Sequence, residues 1–179
     1  MDERMMSLRH FVINHLGPSC CRPVWALDDS KSSTAYLAQH HLLDQIPELL
    51  KDVGEAPTSV DSPAHINVWI GSGGTRTPLH YDSFGNMFVQ LVGVKYVRIY
   101  RRDETPKLYI SKASSYAAQG NMSEINCEME DFEKHPLAEN ALYTETVLFP
   151  GDCLFIPCGV WHYVRALSTS VSVNYWWSQ

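Results

Sequence analysis

The sequence predicts a mainly β domain of jelly-roll type, and three observations carry that prediction. Beyond residue 61 the chain breaks into seven or more short runs that alternate apolar and polar residues. Tight turns centred on Gly or Pro separate them. The whole chain of 179 residues is close to the size of one domain, for which roughly 150 residues is a fair prior. Many short strands joined by tight turns close most economically as an antiparallel sandwich or barrel.

The N-terminal third reads differently. Met5, Leu8, Phe11, Val12 and Leu16 recur mostly at steps of three and four, which predicts one amphipathic helix over residues 2–16, stopped by Gly17-Pro18. Residues 17–34 are rich in Pro, Ser, Asp and Lys and read as a loop. Residues 36–40 form a short extended piece, with a helical turn near residues 46–50. This gives two parts: a helix and loop over residues 1–35 that pack on the barrel, and the barrel domain itself over residues 36–179.

The strands follow in order. Residues 65–70 alternate Ile66, Val68 and Ile70 against Asn67 and Trp69. Residues 86–92 and 95–100 flank Gly93 as a hairpin, and residues 147–149 and 153–156 flank Pro150-Gly151-Asp152. Residues 162–166 and 170–177 complete the set. Between Arg102 and Tyr143 lies a polar stretch of about 40 residues, too long for a plain connection, which is expected to carry structure of its own and to border a functional mouth.

Composition excludes several classes. At 45% hydrophobic and 19% charged residues, the chain can fill a core and is neither disordered nor collagenous. A net charge of −6 and a pI near 5.7 offer no field to draw it onto nucleic acid or anionic lipid. No apolar stretch approaches the roughly 18 residues of a membrane helix, and the start lacks the layout of a signal peptide. The expectation is a soluble intracellular protein with free thiols: the five cysteines are odd in number and form no paired CxxC motif. Cys153 and Cys158 lie in apolar runs and are expected to pack as small hydrophobes.

Chemistry concentrates in the extended run Thr77-Pro78-Leu79-His80-Tyr81-Asp82. A period of two points His80 and Asp82 to one face, where both side chains can reach one ion. A second histidine, His162, sits 80 residues after Asp82 in the strand Trp161-His162-Tyr163-Val164-Arg165. Two imidazoles and one carboxylate bound on one face leave open positions, the arrangement non-haem Fe(II) uses to hold a co-substrate and dioxygen together. An HxD pair also occurs in ordinary hydrogen-bonded strands, and His40, His41, His65 and His135 read as plain surface or strand residues. The pair therefore gains weight from Lys95. It shares its strand face with Val97 and Ile99, so if that face lines the interior, a buried ammonium needs an anion. A ligand carboxylate would supply one, with Asn86, Thr77 and Tyr36 as hydrogen-bonding groups around it. The alternative is a strand-end lysine that snorkels to water.

At these residues the sequence resembles the jumonji C (JmjC) oxygenases, iron and 2-oxoglutarate enzymes built on a double-stranded β-helix, a cupin-like jelly roll. The segments Tyr36-Leu37-Ala38-Gln39-His40, Pro78-Leu79-His80-Tyr81-Asp82, Asn86, Gly93-Val94-Lys95-Tyr96-Val97-Arg98-Ile99-Tyr100, Pro150-Gly151-Asp152, Phe155-Ile156-Pro157, residues 161–167 and Trp176-Trp177-Ser178 all fall in the family's order. Within the family the likeness is to the subfamily of jumonji-domain-containing protein 5. The resemblance implies that His80, Asp82 and His162 hold Fe(II). It implies that Lys95, with Tyr36, Thr77 and Asn86, binds 2-oxoglutarate, Thr77 keeping the hydroxyl of a familiar serine. It also implies that Gln39, Trp69 and Trp176 face the substrate, although both tryptophans would serve equally as core aromatics. In the family further strands and helices, with an acidic substrate contact, precede the segment matching residues 1–16, so substrate binding is expected to be less secure than the metal site.

The implied reaction couples oxidative decarboxylation of 2-oxoglutarate by O2 to hydroxylation of a substrate carbon. The favoured substrate is a protein or peptide with a basic, arginyl side chain, since an acidic protein suits a basic peptide. Demethylation of N-methyl-lysine, as on histones or chromatin-associated proteins, uses the same chemistry. A cupin-like scaffold that binds without turnover is the reading from another class. The expected location is nuclear, cytoplasmic or both, with no direct contact to nucleic acid or membrane.

Overall fold

A computed structural model of the chain describes residues 4–16, 34–54, 63–111 and 120–178. Among the described residues nine strands are formed in chain order: β1 (Tyr36–His40), β2 (His65–Gly71), β3 (Arg76–His80), β4 (Gly85–Val92), β5 (Lys95–Tyr100), β6 (Tyr143–Leu148), β7 (Cys153–Ile156), β8 (Trp161–Ala166) and β9 (Ser170–Trp177). They make two antiparallel sheets, one ordered β1-β2-β9-β4-β7 and the other β3-β8-β5-β6. This is the jelly roll that the strand count and turns predict.

The pairing differs from the expected hairpins. β4 lies between β9 and β7, whereas β5 lies in the other sheet between β8 and β6. The turn at Gly93 therefore carries the chain from one sheet to the other. The Pro150-Gly151-Asp152 turn does the same between β6 and β7. Period-two alternation tells which residues share a face, but both arrangements satisfy it. Gly93 is required by the crossing: its φ is 74°, and a Cβ there would meet the Thr169 carbonyl oxygen at 2.0 Å. The next turn closes against it, the Leu167 amide donating to the Val94 carbonyl at 2.8 Å and the Val94 amide to Ser168 Oγ at 2.9 Å.

The interior between the sheets is filled by Phe88, Val97, Leu148 and Val164. The outer face of the five-stranded sheet is covered by helix α1 (Leu8–His15) and helix α2 (Leu42–Gln45), whose Phe11, Leu42 and Leu43 pack with Val68, Ile70, Val173 and Tyr175. A 3₁₀ turn Pro47–Leu49 and helix α3 (Leu50–Val53) follow α2, a longer helical stretch than the single turn expected. Helix α1 starts later than the periodicity suggests, because Ser7 Oγ accepts the His10 amide at 3.2 Å and caps it. Residues 4–7 are not helical; the first three residues and most of the expected 17–34 loop lie outside the described residues.

The stretch between β5 and β6 does carry structure. It forms 3₁₀ helices Arg102–Lys107 and Pro136–Asn140, and its Leu108, Ile125, Cys127 and Ala141 pack on Leu79, Tyr100, Trp161 and Tyr163 from the outer face of the four-stranded sheet. Cys153 is exposed rather than packed. It sits on β7, the edge strand of its sheet, where Phe155 on the same face is also exposed.

Candidate metal centre

The ladder between β3 and β8 puts His80 and His162 directly opposite each other. Tyr81 and Tyr163 point the other way, into or toward the outer cluster, while both imidazoles point between the sheets. Asp82 lies two residues beyond His80, just past the end of β3, and its carbonyl accepts the Gly159 amide at 2.8 Å. One donor atom from each of His80, Asp82 and His162 lies within 4.8 Å of the others. His80 Nε2 is 3.6 Å from Asp82 Oδ1, and His162 Nε2 is 3.5 Å from Asp82 Oδ2. Donors about 2.0–2.2 Å from one ion stand about 3 Å apart when adjacent, so a small contraction suffices for all three to share one ion.

The outer nitrogens are committed elsewhere. His80 Nδ1 is 2.9 Å from the Pro78 carbonyl and His162 Nδ1 is 3.0 Å from the Val160 carbonyl. A carbonyl only accepts, so each Nδ1 carries the proton and each Nε2 lone pair faces Asp82. Burial, helped by neighbouring His80, pushes the His162 pKa down to about 3, which keeps that ring neutral. Burial raises the Asp82 carboxyl above its ordinary value, opposed by His80 and by a hydrogen bond from Asn86.

The three donors line a cleft together with Tyr36, Trp69, Thr77, Asn86, Phe88 and Asn174. Lys95 is 2% exposed, and its Nζ has no hydrogen-bond partner among the described residues. It lies over the rings of Tyr36 at 5.7 Å and Phe88 at 5.2 Å, so the snorkelling alternative is excluded. Burial pushes its pKa down to about 7. An ammonium buried over aromatic rings without a hydrogen-bond partner among the described residues is a strong demand for an anion. The Tyr36 hydroxyl and Thr77 Oγ1 are 3.3 Å apart, and burial raises the Tyr36 pKa to about 12.

Asn86 Oδ1 accepts from Asn174 Nδ2 at 3.1 Å, and Asn174 Oδ1 accepts from Trp69 Nε1 at 2.8 Å. Trp69 is thus a wall of the cleft with its indole nitrogen satisfied. Trp176 is buried and stacks on Phe84 at 5.3 Å; it is not among the residues lining the cleft. Gln39 is exposed on β1, beside a register irregularity between Leu37 and His40, and is likewise not a lining residue. Asn174 is a lining residue that sequence reading missed. Its signal was a polar side chain in β9 at the period-two positions of Ser170 and Ser172, opposite to Val171, Val173 and Tyr175.

A sandwich of two sheets in which two histidines and an aspartate converge, with a lysine buried in the same interior, makes a candidate metal site. Comparison agrees: residues 2–179 match the model of the cupin-like domain family. Over 98% of its length the chain is 40% identical to "JmjC domain-containing protein F" of Dictyostelium discoideum. It is 39% identical over 99% of its length to "Lysine-specific demethylase 8" of Xenopus tropicalis, and 35% identical over 98% to "Jumonji C domain-containing protein 5" of Drosophila melanogaster. The chain belongs to the cupin-like domain family, and the relatives it matches in that family carry JmjC and demethylase names. It spans 42%, 38% and 43% of the lengths of these three relatives.

Proposed function

We propose that this chain is the catalytic module of an Fe(II)- and 2-oxoglutarate-dependent protein hydroxylase acting on a basic, arginyl side chain. The observation that carries the oxygenase reading is the pairing of three convergent donors, His80, Asp82 and His162, with the unpartnered Lys95 ammonium in one interior. The donor set suits Fe(II): two imidazole nitrogens and one carboxylate. The orphaned Lys95 suits the distal carboxylate of 2-oxoglutarate, with Tyr36, Thr77 and Asn86 as the remaining polar groups. When bound, iron, 2-oxoglutarate and O2 supply the oxidising chemistry, giving succinate, CO2 and one oxygen atom for the substrate.

The chain's own residues do the rest. Pro78 and Val160 carbonyls fix the ring tautomers. The Asn174 amide holds Trp69 and Asn86 in place at the cleft wall. The Phe88 and Tyr36 rings surround Lys95 Nζ with apolar faces, which strengthens a charge-assisted hydrogen bond to a carboxylate there. Gln39, Trp69 and Trp176 are assigned to the substrate side, and the helix and loop of residues 1–35 to a layer that supports the barrel of residues 36–179.

Arginyl hydroxylation is supported by the net charge of −6, which suits a basic peptide, and by tryptophan near the mouth, which suits a guanidinium face. A second reading is favoured by the relatives named lysine-specific demethylases: removal of methyl groups from lysine in histones or other chromatin proteins, which would place the module in the nucleus. Incubation with Fe(II), 2-oxoglutarate and candidate peptides separates them. A gain of one oxygen on arginine supports hydroxylation, formaldehyde from N-methyl-lysine peptides supports demethylation, and no succinate under any condition leaves a binding scaffold.

A further inference from the structure

The two ligands His80 and Asp82 are joined through Tyr81, and this joint falls where the sheet has ended. The β3–β8 ladder stops at the His80–His162 pair. Beyond it, Asp82 is held at its carbonyl by the Gly159 amide, but the two peptide planes between the ligands need support of their own. Asn121 supplies both contacts. The Tyr81 amide donates to the Asn121 carbonyl at 3.0 Å, and Asn121 Nδ2 donates to the Tyr81 carbonyl at 2.9 Å. The first contact fixes the plane between His80 and Tyr81, the second the plane between Tyr81 and Asp82.

We infer that Asn121, in the long β5–β6 segment, is a positioning residue for the metal centre, aiming Asp82 relative to His80 by clamping the peptide between them. Its own position is rigid. The flanking Met122 forms a bridge with His80, the Ser123 amide donates to the Leu79 carbonyl at 2.9 Å, and Glu128 further along accepts from Arg76 and Arg165. Rotation about the Tyr81–Asp82 plane swings the carboxylate across the site. A ligand needing a distance within a few tenths of an ångström loses affinity well before the fold does.

The inference rests on the metal reading above, and titration of the metal-free protein with Mn(II), followed by the electron paramagnetic resonance of the free ion, keeps the two apart. Absence of Mn(II) binding by the wild type would sink the metal reading itself. With the wild type binding, Asn121→Ala is expected to raise the Mn(II) Kd about 10-fold, the lower end of what loss of a supporting contact does at a metal site. Its circular dichroism and the KM for 2-oxoglutarate should stay near wild type, because Lys95 and its neighbours are untouched. Ser123→Ala is the control. It removes a hydroxyl that donates to the Leu108 carbonyl and accepts the Ile125 amide in the same segment without touching Tyr81, and it should leave the Mn(II) Kd within about twofold. If Asn121→Ala does not fold, Asn121→Ser, too short to reach the Tyr81 carbonyl, carries the same expectation. A wild-type Kd in the Asn121 variant, an equal loss in Ser123→Ala, or loss of fold in both Asn121 variants would overturn the inference.

Discussion

His80 and His162 stand opposite each other across β3 and β8, and each ring is tied back to the carbonyl two residues before it, Pro78 and Val160. The symmetry of the tie means that one local device, repeated on neighbouring strands, presents both Nε2 atoms to Asp82. That carboxylate is the only anionic donor of the three. Asp82→Ala is expected to abolish 2-oxoglutarate turnover and to weaken Fe(II) or Mn(II) retention by at least about 10-fold. Since burial already raises the Asp82 pKa in the metal-free protein, the variant's thermal midpoint without metal should not fall. Wild-type turnover in Asp82→Asn would count against a ligand role.

Lys95 presents the opposite case, a cation without a hydrogen-bond partner among the described residues. Replacing a buried, unpaired charge by an apolar side chain of similar volume tends to be neutral or stabilising. Lys95→Met should therefore keep or raise the stability of the ligand-free protein. Its KM for 2-oxoglutarate should rise by roughly 10- to 100-fold, the equivalent of a charge-assisted hydrogen bond. Metal binding should be unaffected. A KM within twofold of wild type would detach Lys95 from the co-substrate.

The same lysine sets a pH dependence. Its folded pKa of about 7 lies below the unfolded value of about 10.4. Between those two values the unfolded chain binds more protons, so stability rises with pH across that window, while below about 7 the folded state carries the full cost of the buried charge. Urea midpoints of the ligand-free protein at pH 7, 8 and 9 should climb more steeply for the wild type than for Lys95→Met. Parallel curves would show that the ammonium is not buried in solution. Binding of 2-oxoglutarate at pH 8 should also take up protons, read by calorimetry in buffers of different ionisation enthalpy.

The long β5–β6 segment is held down by charge as well as by its apolar contacts. Glu128 accepts from Arg76 at 2.9 Å, from Arg165 at 3.0 Å and from the Tyr163 hydroxyl at 2.5 Å, and Glu130 pairs with Arg98 at 2.5 Å. Arg76 is half exposed, so its share is small. Glu128→Ala should cost about 1–3 kcal/mol in chemical denaturation, mostly from the Arg165 and Tyr163 contacts. No change in midpoint would mean that the apolar contacts of Leu108 and Ile125 alone hold the segment.

Alternation and turn residues were enough to read the jelly roll and the faces of His80, His162 and Lys95, since burial of one strand face leaves its mark every second residue. Neighbours across sheets leave no such mark. Gly93 reads as a hairpin glycine and is a crossing glycine instead. Asn121 and Glu128 lie in a stretch without periodicity, and their partners Tyr81 and Arg165 are 40 and 37 residues away. Helix α1 shows the smaller version: the apolar spacing extends to Met5, but Ser7 captures the His10 amide and starts the helix there.

The substrate prediction follows from what surrounds the mouth. Trp69 is held by Asn174 and presents an aromatic wall next to His80, Asp82 and His162, while Trp176 of β9 stacks on Phe84 outside the lining of the cleft. Rigid aromatic walls favour planar cations and alkyl stems, and the negative net charge lowers the cost of bringing a basic peptide to them. In a library of peptides treated with enzyme, Fe(II) and 2-oxoglutarate, arginine peptides are expected to gain one oxygen, and Trp69→Ala is expected to raise the peptide KM more than the 2-oxoglutarate KM. A variant that instead loses both equally would make Trp69 a support for Tyr36, whose ring lies 5.9 Å away. Formaldehyde from N-methyl-lysine peptides, with no oxygen gained on arginine, would move the assignment to demethylation. In the proposed reading both outcomes use the same His80, Asp82, His162 and Lys95, so the four variants should fail on either substrate, and a substrate on which Lys95→Met retained full turnover at limiting 2-oxoglutarate would contradict the assignment of that lysine to the co-substrate.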